Sequence, residues 1–554
     1  MSIPTTSDLW WKNAIIYCLD VETFFDSNGD GIGDFAGLTQ RVDYLAGMGV
    51  TCIWLMPFYP TPNRDDGYDV LDFYGVDARL GSFGDLAGFV RTARDRGLRV
   101  IVDLVLNHTS TEHHWFRASS SDPHSPHREW YVWRDEVPED GPKGIVFPDA
   151  EKSNWTYHKE RGQYYLHRFY SHQADLNPAN PAVRDEMAKV LGFWLEQGIS
   201  GFRVDAVPFL IETEGIEGDP ELIPHELLRD LRAFLNRRRG DAIMLGEVNL
   251  RPEEARRYFG DEGGDQLHMV FNFLVNQQIY LSLVRGDATP LREALARLPP
   301  IPDEGQWANF LRNHDELTLD KLTEAERQEV FTALGPDEDM QLFGRGLRRR
   351  LPSMVDGDQR RLRMLYSLMF SLPGTPVLFY GEEIGMAENL EVEGRASVRT
   401  PMQWSDERNA GFSTAPASAL RRPLVEGRFG PQHVNVVDQR RRPDSLLSWM
   451  ERLIRRRREC PEIGFGQCKV IETSEAGVLA HQCEWGDRIL VAAHNFSEDA
   501  CSPTLNLNVP HDFEGLVDLL ADREYPPPNQ LEVELGPFGY RWLHMRGAGR
   551  LLPL

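Results

Sequence analysis

Positive charge is scarce in this sequence: 60 Lys and Arg stand against 85 Asp and Glu, a formal net charge of −25 over 554 residues. Nucleic acid and anionic membrane are therefore excluded as main partners, because both call for basic surface. Cysteine is scarcer still, six in the whole chain, which does not make a disulfide-stapled scaffold. Cys18 and Cys52 sit inside apolar, strand-like runs, where a buried free thiol is the ordinary state. No uninterrupted run of about 18 apolar residues is present, so no bilayer-spanning helix is expected. Met1-Ser2-Ile3-Pro4-Thr5-Thr6 has neither the basic start nor the apolar stretch of a secretory signal, and a cytoplasmic protein is expected. Also missing are a Cys/His metal cluster and a glycine loop for nucleotide phosphates. The chain is 41% hydrophobic and 26% charged, so it can bury full cores, over two to four domains of about 100–200 residues each.

The first two-thirds alternates short apolar runs with amphipathic stretches. Ala14 to Leu19, Thr51 to Met56, Arg99 to Leu106, Gly201 to Asp205, Ala242 to Glu247, Met269 to Phe273, Trp307 to Arg312 and Pro376 to Tyr380 read as strands. Such near-continuous apolar runs suit parallel strands buried on both faces. Leu38 to Met48 and Phe83 to Arg96 read as helices. Eight strands with intervening helices predict a (β/α)8 TIM barrel over residues 1–108 and 181–450. Residues 109–180 are irregular and rich in aromatic and polar residues, too long for a barrel loop, and predict an inserted subdomain after strand three. Residues 316–358 predict a charged, helical insertion after strand seven, and both insertions are candidates for a lid. Residues 451–554 change to short alternating strands and predict a C-terminal antiparallel β-domain, a sandwich. The arginine runs at 237–239, 348–350 and 455–458 read as solvated helix faces.

Polar groups stand where the apolar runs end: Asn107-His108 after the third, Asp205 after the fourth, Glu247 after the fifth, and Asn313-His314-Asp315 after the seventh. In a barrel those ends form one face, so the groups would share a pocket. Clustered like charges cost stability, and their presence argues for chemistry. Carboxylates without a metal cluster or a nucleotide loop suit glycoside hydrolysis, where one carboxylate attacks the anomeric carbon and another protonates the leaving oxygen.

Asp103-Leu104-Val105-Leu106-Asn107-His108, Gly201-Phe202-Arg203-Val204-Asp205-Ala206, Leu245-Gly246-Glu247 and Phe310-Leu311-Arg312-Asn313-His314-Asp315 resemble the four ordered signatures of the α-amylase family of glycoside hydrolases. The resemblance implies Asp205 as nucleophile, Glu247 as general acid/base and Asp315 as stabiliser of the transition state. It implies sugar contacts from His108, Arg203 and His314, with Phe169 and Gln173 at the same pocket. Asp65 and Tyr68 resemble the family's pocket-closing pair, and Arg399 its arginine partner. Arg203 is expected to keep Asp205 ionised, while Glu247 needs a drier place to hold its proton.

Trp10 to Ala14, Asp26 to Asp34, Gly162 to Phe169 and Leu311 to Leu319 are similar to the branch of that family that isomerises maltose to trehalose. The similarity covers residues 8–545, with no kinase-like extension, so a stand-alone form is expected. It departs at Gly246-Glu247-Val248-Asn249-Leu250-Arg251-Pro252, where Ala-Glu-Ala-Asn-Gln-Trp-Pro is the branch's pattern. The expected partner is therefore a disaccharide, maltose or trehalose. An α-glucosidase or transglucosidase with another acceptor shares every catalytic residue, and a non-catalytic glucan-binding protein is the reading from another class. Oligomeric state stays open.

In Asp26-Ser27-Asn28-Gly29-Asp30-Gly31-Ile32-Gly33-Asp34, oxygen donors recur at every second position around glycine turns, the way Ca²⁺ is wrapped; a plain Asx/Gly turn is the alternative. Asp26, Asn28, Asp30 and Asp34 with the Ile32 carbonyl make one expected cation site. The family resemblance implies a second, from Asn107, Asp175, Glu212 and the carbonyls of Phe209 and Leu210, unless these are ordinary caps. No organic cofactor is expected.

Overall fold

The computed structural model describes residues 9–138, 144–210, 223–261, 263–507, 513–521, 523–525 and 531–547. Eight parallel strands close into a barrel: β1 Ile16–Leu19, β2 Cys52–Leu55, β3 Arg99–Leu104, β4 Gly201–Val204, β5 Ile243–Gly246, β6 Met269–Phe271, β7 Gln306–Asn309 and β8 Thr375–Phe379. Each pairs with its neighbours in sequence, and β1 closes the ring on β8 with Ile16 beside Val377. The predicted barrel is thus present, with all eight runs within a few residues of their expected places. Nearly every strand residue is buried, as expected when helices cover the outside and side chains fill the interior.

Local chemistry fixes the helices. Phe83–Asp95 starts at a capping box, in which Ser82 and Asp85 satisfy each other's backbone N–H groups. The single helix expected over 38–48 is two, Phe35–Gln40 and Val42–Met48. Asp34 caps the first, and the chain turns at Arg41, whose guanidinium lies 3.8 Å from the centre of the Phe25 ring and 4.4 Å from that of Trp404.

After β3 the chain builds a small antiparallel sheet of Trp133–Arg134, Gln163–Leu166 and Trp155–His158, and pairs His108–Ser110 with Gln173–Asp175. It also carries a helix, His114–Ser121, for which the sequence shows no clear period. After β7 come the helix Glu324–Leu334 and a three-stranded sheet of Leu317–Thr318, Gly346–Leu347 and Gln341–Leu342. Phe343 and Gly344, at φ +57° and +62°, make its tight turn. The C-terminal part holds a six-stranded antiparallel sheet. Cys468 and Cys483 face each other on adjacent strands there and form a disulfide, a pairing the spacing of the cysteines did not reveal. Cys18 and Cys52 are buried free thiols.

The arginine runs divide. Arg237 is exposed, but Arg350 and Arg457 are buried; their guanidiniums bond backbone carbonyls of loops and strand ends. Solvated faces are therefore the wrong reading for 348–350 and for Arg457. Among the described residues no helix is long and apolar enough to cross a membrane.

Candidate active site

The C-terminal ends of β3, β4 and β5 converge on one guanidinium. Arg203, on β4, donates from Nη1 to Asp205 and to Asp103 at 2.5 Å each, and from Nη2 to Glu247 at 2.7 Å. Ala206, directly after Asp205, takes φ +47°, a left-handed conformation that costs a residue with a Cβ of order 1 kcal/mol or more. That turn brings its N–H to 3.3 Å from Glu247 Oε2, so local strain helps hold the two carboxylates together.

A second cluster surrounds Asp315, beyond β7. Arg399 and Arg395 donate to its Oδ1 at 2.7 and 2.8 Å. Arg395 also reaches Asp65 at 2.7 Å, and Gln173 donates to the other Asp65 oxygen at 2.9 Å. Arg399 also bonds Asp66 at 2.7 Å, and Arg422 bonds the same carboxylate. The arginine partner expected for Asp65 is thus Arg395, while Arg399 belongs to Asp66. Two adjacent aspartates and two arginines four residues apart let each pair find its own match. Tyr68 stacks on His314 with ring centres 5.7 Å apart, and its hydroxyl meets His314 Nε2 at 2.7 Å. His108 Nε2 lies 3.2 Å from the Tyr68 carbonyl.

These groups border a cavity of about 430 Å³. Of the residues singled out from sequence, Asp65, Tyr68, His108, Phe169, Asp205, Glu247, Asp315 and Phe209 line it. Arg203, His314, Gln173 and Arg399 lie behind that lining and bond its members. Sequence reasoning missed Asp66, Arg395 and Phe147, as well as Asp103, although Asp103 opens the first quoted signature. The three loop residues expected to line or support the acceptor side take different places. Leu250 lines the cavity, but Val248 is in the core at 1% exposure and Arg251 is exposed at the start of a short helix. Asn249 lines the rim instead, donating to both oxygens of Asp320 at 3.1 and 3.2 Å, and Lys321 bonds Asp320 at 2.7 Å.

Electrostatics separates the three acids. Burial raises Asp205 to about 6 although Arg203 opposes it, since that one cation is divided among three carboxylates. Enclosure raises Glu247 to about 7, with Asp205 and Asp315 adding to the shift against Arg203. Burial also pushes Asp315 up, but the guanidiniums of Arg395, Arg399 and Arg203 outweigh it and hold it below the usual carboxylate range. Burial keeps His314 well below the ordinary imidazole value, so it is neutral, and lowers His108 to about 3. Glu247 therefore keeps its proton to higher pH than Asp205, the order that an acid and a nucleophile require.

The expected cation loop is closed by its own hydrogen bonds. Asp26 accepts from the N–H groups of Asn28, Gly29 and Gly31 and from the Ser413 hydroxyl, one for each carboxylate lone pair. Asp34 accepts from Ser27 N–H, Ser27 Oγ and Gly37 N–H. Asn28 and Asp30 accept from Asp30 N–H and Ile32 N–H. In this arrangement Asp26 has nothing left for a cation, and among the described residues no three His, Cys, Asp or Glu side chains converge to hold one. For the second set, Asn107 Nδ2 donates to Asp175 Oδ1 at 3.2 Å, Phe209 and Leu210 follow β4, and Glu212 lies outside the described residues.

A parallel barrel whose strand ends gather three carboxylates on one guanidinium defines a glycosidase-type site. The profile of the α-amylase catalytic domain matches residues 19–334 and 343–465, and the chain belongs to the α-amylase family. A trehalose synthase of Pimelobacter sp. (strain R48) is 39% identical over 97% of this chain and 96% of its own length. A trehalose synthase of Thermus thermophilus is 43% identical over 99% of this chain, which spans only 56% of that longer protein. The crystal structure of an α-glucosyl transfer enzyme matches with a TM-score of 0.78 at 26% identity, covering 97% of this chain and 99% of that one.

Proposed function

We propose that the chain isomerises maltose to trehalose by glucosyl transfer within one pocket. The observation that carries the chemistry is the shared guanidinium: Arg203 holds Asp205 through Nη1 and Glu247 through Nη2, and a retaining enzyme needs its two carboxyl groups close together, about 5–5.5 Å apart. Asp205 attacks the anomeric carbon of the non-reducing glucose as Glu247 gives its proton to the departing oxygen. The released glucose turns and offers its anomeric hydroxyl; Glu247 takes that proton, and the oxygen displaces Asp205. Two inversions restore the α configuration. His108, Arg203, His314, Phe169 and Gln173 are read as holding or ordering the sugar, and Asp315, tied to Asp65 through Arg395, as gripping its hydroxyls. The two trehalose synthases described above favour this product over simple hydrolysis.

Incubation with maltose followed by product analysis tests the reading. Trehalose with minor glucose is expected; glucose alone overturns the isomerase and leaves a hydrolase. Retention of the loose glucose depends on closure, because water competes for the glucosyl-enzyme. The two insertions touch over the cavity, where Phe147 and Phe343 rings lie 5.0 Å apart and Arg395 lies 4.8 Å from the centre of the Phe147 ring. Phe343→Ala removes an aromatic contact of about 1 kcal/mol, so free glucose is expected to rise about fivefold relative to trehalose. A fixed ratio with slower maltose consumption would assign Phe343 to folding or catalysis rather than closure.

Structural Ca²⁺ is proposed at the Asp26–Asp34 loop on the donor pattern and at Asn107 and Asp175 on the family resemblance, and binding at the first would require Asp26 to give up hydrogen bonds. Excess chelator is then expected to lower the melting temperature and added Ca²⁺ to restore it. An unchanged melting curve, with no metal found by elemental analysis, removes the ion from the account.

A further inference from the structure

None of Arg348, Arg349 and Arg350 lines the cavity, yet together they grip the segment that supplies both arginines around Asp315. That segment runs from β8 through residues 380–399 with no strand and only single helical turns, so its carbonyls need donors from elsewhere. Arg348 donates to the carbonyls of Val392 at 2.6 Å and Leu390 at 3.0 Å. Arg350, 1% exposed, donates to those of Tyr380 at 2.7 Å and Val398 at 2.8 Å. Ser397 returns a bond to the Arg348 carbonyl at 3.1 Å.

Glu388 locks the two strips together. It accepts from Arg349 Nε at 3.1 Å, from the Arg350 N–H at 2.8 Å and from the Ser353 hydroxyl. On the other side, Arg312 donates to the carbonyl of Arg349 at 2.7 Å and to that of Asp315 at 2.6 Å. The arginine run therefore stands between the two halves of the clamp. One arm goes to the backbone that bears Arg395 and Arg399, the other to the backbone of the aspartate they hold.

We propose that Glu388 and the run Arg348–Arg350 are positioning residues that set Arg395 and Arg399 against Asp315 and Asp65. This rests on the glucosyl-transfer reading for its kinetic consequence, though not for its geometric one. Loosening the latch leaves Asp315 less compensated, which weakens its grip in the transition state and makes the protonated form of Glu247 easier to keep.

Glu388→Gln keeps size but sets an amide NH₂ against one of three donors. Its kcat/KM for an aryl α-glucoside is expected to fall about tenfold or more, mainly in kcat. The basic limb of the pH profile is expected to move up by about half a unit, and melting to stay within about 5 °C of wild type. Partial unfolding would scale the rate without moving the limb. Arg349→Lys keeps the charge opposite Glu388 and serves if Glu388→Gln fails to fold; it should show the same shift in smaller measure. Unchanged kcat/KM and an unmoved limb in a folded variant overturn the proposal. A crystal structure of either variant decides separately: Arg395 still on Asp65, with both arginines still on Asp315, also overturns it. A wild type inert on maltose and on aryl α-glucosides would sink the functional reading instead, leaving that structure to judge the latch.

Discussion

Asp205→Asn is expected to leave a folded barrel with turnover reduced by about 10⁴-fold or more. The side chain sits at the end of β4 with its carboxylate on Arg203, and an amide of the same shape fits there. Folding should survive because Arg203 keeps Asp103 and Glu247 as partners. Chemistry should not, since a neutral amide cannot form a glucosyl ester. Burst experiments with an activated α-glucoside should lose the burst along with the steady rate, while circular dichroism stays that of wild type. A variant that keeps a tenth of the wild-type rate would show that another group attacks the anomeric carbon.

The barrel is legible in the sequence for a definite reason. Parallel strands buried on both faces are short continuous apolar runs, and Thr51 to Met56 and Arg99 to Leu106 are too short for buried helices and rich in β-branched residues. The carboxylates that stop those runs are legible as well, because Asp205 and Glu247 interrupt apolar sequence at strand ends. Partner choice is not. Asp65 and Asp66 are adjacent, Arg395 and Arg399 lie within one turn of each other, and which meets which depends on closing more than 300 residues of chain. The Arg348–Arg350 run misleads for a related reason, since Arg348 and Arg350 are bound by the carbonyls of an irregular segment, and carbonyls have no sequence signature. On the loop after Glu247, Val248 turns into the core while Asn249 and Leu250 reach the cavity, because successive side chains leave a chain in different directions. Register likewise governs the disulfide: Cys468 and Cys483 meet only because their strands pair in that alignment.

Glu247→Gln is expected to cost about 10³-fold on maltose but little on an α-glucoside whose leaving group needs no proton. The contrast follows from the site. Enclosure holds the Glu247 carboxyl near 7, so at neutral pH a large share of molecules carry the proton that a departing glucose must take. Dinitrophenolate or fluoride departs without it, and for those substrates formation of the glucosyl-enzyme should stay within about tenfold of wild type. Its breakdown should then become slow, because the acceptor hydroxyl has lost its base, and intermediate should accumulate. Azide needs no deprotonation and should restore turnover as α-glucosyl azide, the configuration that a second inversion gives. The pH profile reports the same group: the basic limb near 7 should vanish in the variant, while the acid limb near 6 from Asp205 stays. Equal losses on maltose and on the activated substrates would mean that the proton comes from elsewhere. In that case Glu247 acts on Arg203, whose Nη2 it holds at 2.7 Å, and through Arg203 on the nucleophile.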